Sequence, residues 1–375
     1  MKPVPAPTTD PSGAVAAPDR PRRSRAGWVL IVLGVAALAV SVLCVGIGST
    51  SIPVGDTVRY LVTGGHAEVD PTTATLLSQV RLPRVLTALL AGAALGVAGL
   101  LMQTLFANPL ADPYILGVSS GAGLGVAVSV LGAGAVSGVT STAAAFFSFG
   151  TTGRARTVVA AAVGALAVLA LVLVISRWVR SVVALLLIGV MIGSATGAVV
   201  SLLLAFSDPG RVQRYVLWGF GSVSGVTWAD LRWFAPSVVV GLAVAAVLAR
   251  PLDALLLGER YAASMGVPVR RVRWWVIIAT ALLAGATTAF CGPIAFLGIA
   301  VPHLARAALG RGDHRRLLPA CVLIGVIVCQ VCAAVALLPG ADGVLPLNVV
   351  TAAIGAPVVV AVLLRSRTLA AGAAR

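Results

Sequence analysis

Long apolar runs separated by short polar breaks dominate the pattern of this 375-residue chain. A membrane-spanning helix takes about 20 mostly apolar residues, and ten runs approach or exceed that length. They lie at residues 26–52, 82–106, 114–131, 158–175, 182–206, 233–248, 274–291, 294–309, 317–338 and 347–364. The pattern predicts an all-α polytopic membrane protein with about ten transmembrane helices in one domain, residues 26–366. Residues 1–25 are predicted to be a disordered cytoplasmic tail, and residues 367–375 are predicted to be a short cytoplasmic tail.

The most distinctive stretch, residues 81–125, reads as a helical hairpin. Three glycines lie on one face of its first helix: Gly92, Gly96 and Gly99. Its second helix repeats glycine every four residues from Gly117. Small residues on such faces let helix backbones approach closely in lipid. The polar break at residues 107–113 contains two proline turns, so we expect two closely packed helices joined by a short turn.

Composition and charge agree with a membrane protein. The chain is 59% hydrophobic and 10% charged, with a mean hydropathy of +1.03. Its net charge of +15 does not indicate nucleic-acid binding, because all the arginines except Arg84 and Arg306 lie outside the predicted spans. Alternating the ten spans across the membrane puts 19 of the 27 basic residues on the side of the N-terminus. The positive-inside rule then predicts cytoplasmic termini in a multi-pass protein of the cell (plasma or inner) membrane.

The chain lacks residues that several classes of membrane protein need. No Asp or Glu lies inside a predicted span, which argues against a secondary transporter, because the coupling cation needs a ligand there. The three histidines, His66, His303 and His314, are scattered along the chain, which argues against a membrane-embedded enzyme. Lys2 is the only lysine, so the chain has no candidate for the phosphate-binding lysine of a P-loop. If ATP supplies the energy, it binds to another subunit.

The hairpin resembles a known family, the permease subunits of ABC importers for ferric siderophores, haem and cobalamin (FecCD type). The family motif runs from R-L-P-R through a Gln near the helix end to N-P-L-A-x-P and L-G-V-S. The matching residues here include Arg81, Arg84, Gln103, Asn108, Pro109, Gly117 and Ser119. The resemblance covers residues 29–367 and implies the architecture of a type II ABC importer permease.

A second motif lies in the predicted cytoplasmic segment 250–273. Glu259 begins a two-turn helix with Gly258 as its N-cap, and Gly266 suits the left-handed position after its end. The segment resembles the family's G-E-x-A-x-x-L-G-V coupling helix, which inserts into the ATPase. The resemblance implies six coupling residues: Gly258, Glu259, Arg260, Ala262, Met265 and Gly266. From the residues alone, an ordinary amphipathic loop is an equal alternative.

A third motif, residues 292–306, resembles the family's G-P-I-x-F-x-G-L-x-x-P-H-x-x-R segment. Pro302 should kink the helix and free a carbonyl group. His303 and Arg306 lie one turn apart near its cytoplasmic end. A proton relay is one interpretation of this pair. We favour the other, an inner hydrogen-bonded pair that anchors the helix end.

Arg81 and Arg84 begin the hairpin on the predicted external side, three residues apart and therefore on one face. In the resembling family, arginines at these places contact acidic residues of the substrate-binding protein, so the resemblance implies a docking role for Arg81 and Arg84. The alternative is that the two side chains only reach towards the membrane surface, which is called snorkelling. The chain departs from the family pattern at Gln330, Ala334 and Asn348. The family usually has an acid and an arginine around Gln330 and Ala334 and a Gly at the place of Asn348, so the family's external docking detail and partner do not carry over at these positions.

The sequence therefore predicts a permease subunit that carries a metal chelate inward and is not an enzyme. A ferric siderophore is the first candidate cargo, with haem and cobalamin as alternatives. The implied partners are a second permease subunit (an identical copy or a close paralogue), two cytoplasmic ABC ATPases, an extracellular or periplasmic binding protein and membrane lipid. We expect no cofactor or metal on this chain, with ATP and Mg²⁺ on the ATPase.

Overall fold

The computed structural model describes residues 22–48, 52–64, 70–135, 153–179, 181–310, 313–337 and 345–372. Within these ranges the chain forms helices and no strand. Numbered in chain order, the α-helices are α1 (Arg22–Gly46), α2 (Val54–Val62), α3 (Pro71–Thr75), α4 (Leu82–Leu105), α5 (Val118–Ala135), α6 (Gly153–Ser176), α7 (Val182–Ala205), α8 (Pro209–Gly219), α9 (Trp228–Val247), α10 (Ala249–Leu255), α11 (Glu259–Ser264), α12 (Val269–Cys291), α13 (Leu297–Leu309), α14 (His314–Val335) and α15 (Leu347–Gly372).

Seven of the described helices are long and apolar enough to cross a membrane. Three shorter apolar helices, Val118–Leu131, Leu297–Leu309 and Leu347–Ala361, fall at the other three predicted runs. The all-helical membrane fold is thus confirmed, and the number of ten spans stays a prediction.

Helix boundaries differ from the predicted ones at three places. Helix α1 already begins at Arg22, and α15 continues to Gly372, so each helix extends into a predicted tail. Residues 1–21 and 373–375 of the predicted tails lie outside the described residues. Helix α5 begins only at Val118, because Asp112 and Pro113 start a 3₁₀ turn that ends at Gly117 in the left-handed region.

Helix α4 lies at the centre of the bundle and is buried along nearly its whole length. It continues from α3 through a π-helical turn, Leu76–Arg81, into one 35-residue helix. Its glycine face packs directly against other backbones: Gly92 meets Gly325 of α14, and Gly99 meets Gly298 of α13. A methyl group at either glycine would overlap the facing carbonyl. The glycine face therefore allows α4 to pack closely on two helices at once.

Two of the three residues that depart from the family pattern, Gln330 and Asn348, join helices in the structure. The Gln330 side chain exchanges hydrogen bonds with Ser41 of α1 at 3.0 and 3.1 Å. Asn348 accepts from the Ala295 amide at 2.8 Å and donates to the Gly219 carbonyl at 3.0 Å. Asn348 thus connects the start of α15 to the α12–α13 turn and to the end of α8.

Candidate functional site

Helix α11, between α10 and α12, has the ends that the sequence predicts. Gly258 precedes it with φ +103°, and Gly266 follows it with φ +82°. The Gly266 and Val267 amides donate to the Ala263 and Ala262 carbonyls at 3.0 and 3.1 Å, which closes the helix end. Both glycines are open to their surroundings, since an added Cβ would meet nothing within 4 Å. Their requirement for glycine therefore comes from the backbone conformation and not from crowding.

Side chains of α11 divide between an outer and an inner face. Arg260, Tyr261 and Met265 are exposed, whereas Ala262 is 0% exposed and packs inward. Of the six predicted coupling residues, Ala262 therefore faces the bundle and not the outer surface of this helix. Glu259 forms an ion pair with Arg273 of α12 at 2.6 Å, which fastens the start of α11 to a long apolar helix.

A second link joins α10 to the bundle through His314, which is 1% exposed. The His314 Nδ1 lies 2.6 Å from Oδ1 of Asp253 in α10, and the His314 amide donates to the same oxygen at 2.8 Å. The His314 Nε2 lies 2.8 Å from Oγ1 of Thr104, near the end of α4. One imidazole thus bridges the segment before α11, the start of α14 and the central helix.

Further polar contacts fix the same end of α4. Buried Gln103 donates to the Ile299 carbonyl at 3.3 Å and accepts from Arg306 at 2.6 Å. The His303 Nε2 lies 2.9 Å from the Pro109 carbonyl oxygen. The sequence predicts that His303 and Arg306 form an inner hydrogen-bonded pair that anchors the helix end. In the structure each of the two side chains makes a hydrogen bond to the hairpin. Helix α13, which contains Pro302, is thereby attached both to the end of α4 and to the turn that follows it.

The turn after α4 is built by its own side chains. The Asn108 side chain accepts from the Leu110 amide at 3.0 Å, and Asp112 accepts from the Tyr114 amide at 2.8 Å. Burial raises the pKa of the Asp112 carboxyl to about 6, and the hydrogen bond from Tyr114 opposes this rise. Gly117 has φ +77°, and half-buried Ser119 lies in the first turn of α5. The turn therefore sets the starting point and direction of α5.

The structure brings together two groups of residues that the sequence places far apart. Asp253 lies in α10, immediately before α11, and contacts the end of α4 through His314. Gln103 and Arg306 lie beside this contact, because Gln103 is adjacent to Thr104 in the chain. Sequence reasoning missed Asp253, Thr104 and the link made by His314. A lone Asp in a basic loop gave no local signal of its partner.

Arg81 and Arg84 lie at the opposite end of α4, roughly 30 Å away at 1.5 Å per helical residue. They are only 3% and 7% exposed. Arg81 donates to the Val45 and Gly46 carbonyls at 3.1 and 2.5 Å, and Arg84 donates to those of Cys44 and Ile47 at 3.1 and 2.5 Å. Both guanidinium groups therefore cap the C-terminal end of α1. Docking of a binding protein at these residues stays a prediction.

The Arg84→Glu substitution is expected to lower the melting temperature of the purified protein. A carboxylate would face the carbonyl oxygens at the end of α1, and loss of the buried charged hydrogen bonds costs about 3 kcal/mol. The measurement is thermal unfolding in detergent, with exposed Arg59→Glu on α2 as the control. An unchanged melting temperature together with weaker binding-protein docking would instead support the docking role.

Comparison with known proteins gives consistent matches. The model of the FecCD transport family matches residues 35–365. The vitamin B12 import system permease protein BtuC of Vibrio cholerae is 38% identical over 294 residues, which are 78% of this chain and 83% of that protein. BtuC of Klebsiella pneumoniae is 37% identical over 290 residues, which are 77% and 82% of the two chains.

A solved structure also superimposes well. It is described as an inward-facing conformation of a metal-chelate type ABC transporter. The TM-score is 0.76 at 29% sequence identity, and the match covers 90% of this chain and 99% of the other.

Proposed function

Because this chain belongs to the FecCD transport family, and is therefore an ABC importer permease of the inner membrane, we propose that it carries a metal chelate into the cytoplasm. ATP is hydrolysed on two separate ABC ATPase subunits, which bind the nucleotide and Mg²⁺. A binding protein delivers the cargo at the external side. A second permease subunit, either an identical copy or a close paralogue, completes the transport path.

The observation that supports this proposal most is the position of α11. The helix presents exposed Tyr261 and Met265 outward, while Glu259 is attached to α12 through Arg273. The preceding helix, α10, reaches the centre of the bundle through Asp253 and His314. An ATPase that pushes on α11 would therefore displace α4, α12 and α14 together. Both chain termini and α11 lie on the cytoplasmic side in this proposal.

Two cargoes have support. The sequence resemblance favours a ferric siderophore as the first candidate. Cobalamin is favoured by the permeases of Vibrio cholerae and Klebsiella pneumoniae, which are named for vitamin B12 import. Haem is a third member of the same class of bulky metal chelates.

Transport by reconstituted vesicles tests the proposal. Vesicles that contain this permease and its ATPase, with the binding protein outside, should take up cargo only when ATP is supplied to the ATPase. Uptake should not need a proton or sodium gradient, because the predicted spans contain no Asp or Glu to bind a coupling cation. A ferric siderophore, haem and cyanocobalamin are offered in turn to identify the cargo. Uptake that continues without the ATPase and stops when an ionophore removes the gradient would overturn the proposal.

A further inference from the structure

We propose that a cavity at the predicted external end of the bundle binds the carboxylate groups of an anionic metal chelate. The cavity has a volume of about 600 Å³ and lies between α5, α6, α8 and the end of α12. Four arginines line it: Arg154, Arg156, Arg211 and Arg214. This inference rests on the proposed function and narrows its cargo to a chelate with net negative charge.

The lining carries an excess of positive charge. No acidic residue is among the described residues that line the cavity. Two of the arginines have carboxylate partners beside it: Arg154 lies 3.4 Å from Asp230, and Arg211 lies 3.3 Å from Asp208. In the described part of the chain, Arg156 and Arg214 have no acidic partner. Two guanidinium charges are therefore left for an anion.

Several of these groups are held in place before any ligand arrives. Arg154 donates to the Phe290 carbonyl at 2.8 Å, and Arg156 donates to the Ser129 hydroxyl at 2.9 Å and to its carbonyl. Nη1 of Arg211 is buried and has no hydrogen-bond partner among the described residues. Fixed guanidinium groups bind carboxylates with two parallel hydrogen bonds and lose little side-chain freedom in doing so.

The remaining lining suits a chelate rather than a single small ion. Trp218 and Phe290 contribute aromatic surface, and Val126 and Val130 contribute aliphatic surface. Ligand sites of this size, within the usual range of about 300–1,000 Å³, combine an apolar wall with a few converging polar groups. A carboxylate-bearing chelate presents both kinds of surface, whereas cyanocobalamin has no net charge to meet the arginines.

The test measures binding of ferric citrate to the full-length protein in nanodiscs of zwitterionic lipid, by calorimetry and without ATPase or binding protein. The wild-type protein should bind ferric citrate, and added salt should weaken binding. Arg214→Gln should weaken it at least about tenfold, since a charge-assisted hydrogen bond is lost, and the Arg211→Gln/Arg214→Gln double variant should weaken it further. Arg214 is exposed, so its substitution leaves the packing of the bundle intact.

Arg232→Gln is the matched control, because Arg232 is an exposed arginine at the start of α9 outside the cavity. It should bind ferric citrate like the wild type. Absence of wild-type binding, or equal affinity of the Arg214→Gln and Arg232→Gln variants, would overturn the inference. So would loss of binding when phosphatidylglycerol is added, which would assign the site to a lipid headgroup. Because the assay involves no transport, its failure is separate from failure of the proposed function.

Discussion

Replacing Gly266 by Val should abolish ATP-driven uptake while the protein still inserts in the membrane. Gly266 has φ +82°, where a β-branched residue is strained by roughly 1–3 kcal/mol. An added Cβ would meet nothing within 4 Å, so the effect comes from reshaping the end of α11 and not from a clash. Uptake and stimulation of the ATPase in proteoliposomes are the measurements. Glu259→Arg should act in the same direction, because it places a second positive charge against Arg273.

Gly64→Val is the matched control for Gly266→Val. Gly64 has φ +62°, and a Cβ there would also meet nothing within 4 Å, but it follows α2, on the predicted external side. It should carry similar backbone strain and keep transport. Wild-type uptake by the Gly266→Val variant, or equal loss in both variants, would contradict a coupling role for α11.

The second large effect is expected at His314. His314→Phe should reduce uptake more than tenfold and lower the melting temperature, because it leaves the Asp253 carboxylate and the Thr104 hydroxyl without their imidazole partner. Loss of one partner in a buried polar contact costs about 1–3 kcal/mol, and more where a charge is involved. Uptake and thermal unfolding are measured on the same preparation.

Two further variants, one test and one control, show whether the contact between the imidazole and Asp253 matters by itself. His314→Asn keeps an amide near the Nδ1 position and should retain the contact with Asp253, and with it part of the uptake. Asp313→Asn is the control at the neighbouring position, since among the described residues the Asp313 side chain forms a half-exposed ion pair with Arg316 at 3.7 Å. Full uptake by His314→Phe would show that the link from α10 to α4 does not transmit the movement of α11.

The membrane class of the protein was predictable because hydropathy is a local property. Each run of about 20 apolar residues indicates a helix whatever its neighbours are. The glycine face of α4 was also visible, since three- and four-residue spacings place side chains on one side of a helix. The facing residues Gly298 and Gly325 were not, because spacing does not say which helix packs on which.

The ends of α11 were predicted from local signals, two glycines and an acidic first residue, but the side chains that join this helix to the bundle were not. Asp253 and His314 are 61 residues apart, and Thr104 and His314 are 210 apart. Arg81 and Arg84 show the same limit. Their charge and position suggested an exposed face, and the structure buries both against the end of α1.

The sequence by itself determined that this is a helical membrane permease of the FecCD family, because hydropathy and contiguous motifs depend only on residues that are close together in the chain. Only the tertiary structure decided which polar groups meet. Four arginines from two helices line one cavity, and His314 joins three helices, because packing of the apolar faces brings these distant segments together. Inside a bundle of low polarity, each buried polar group must find such a partner, and the partner is chosen by the fold and not by distance along the chain.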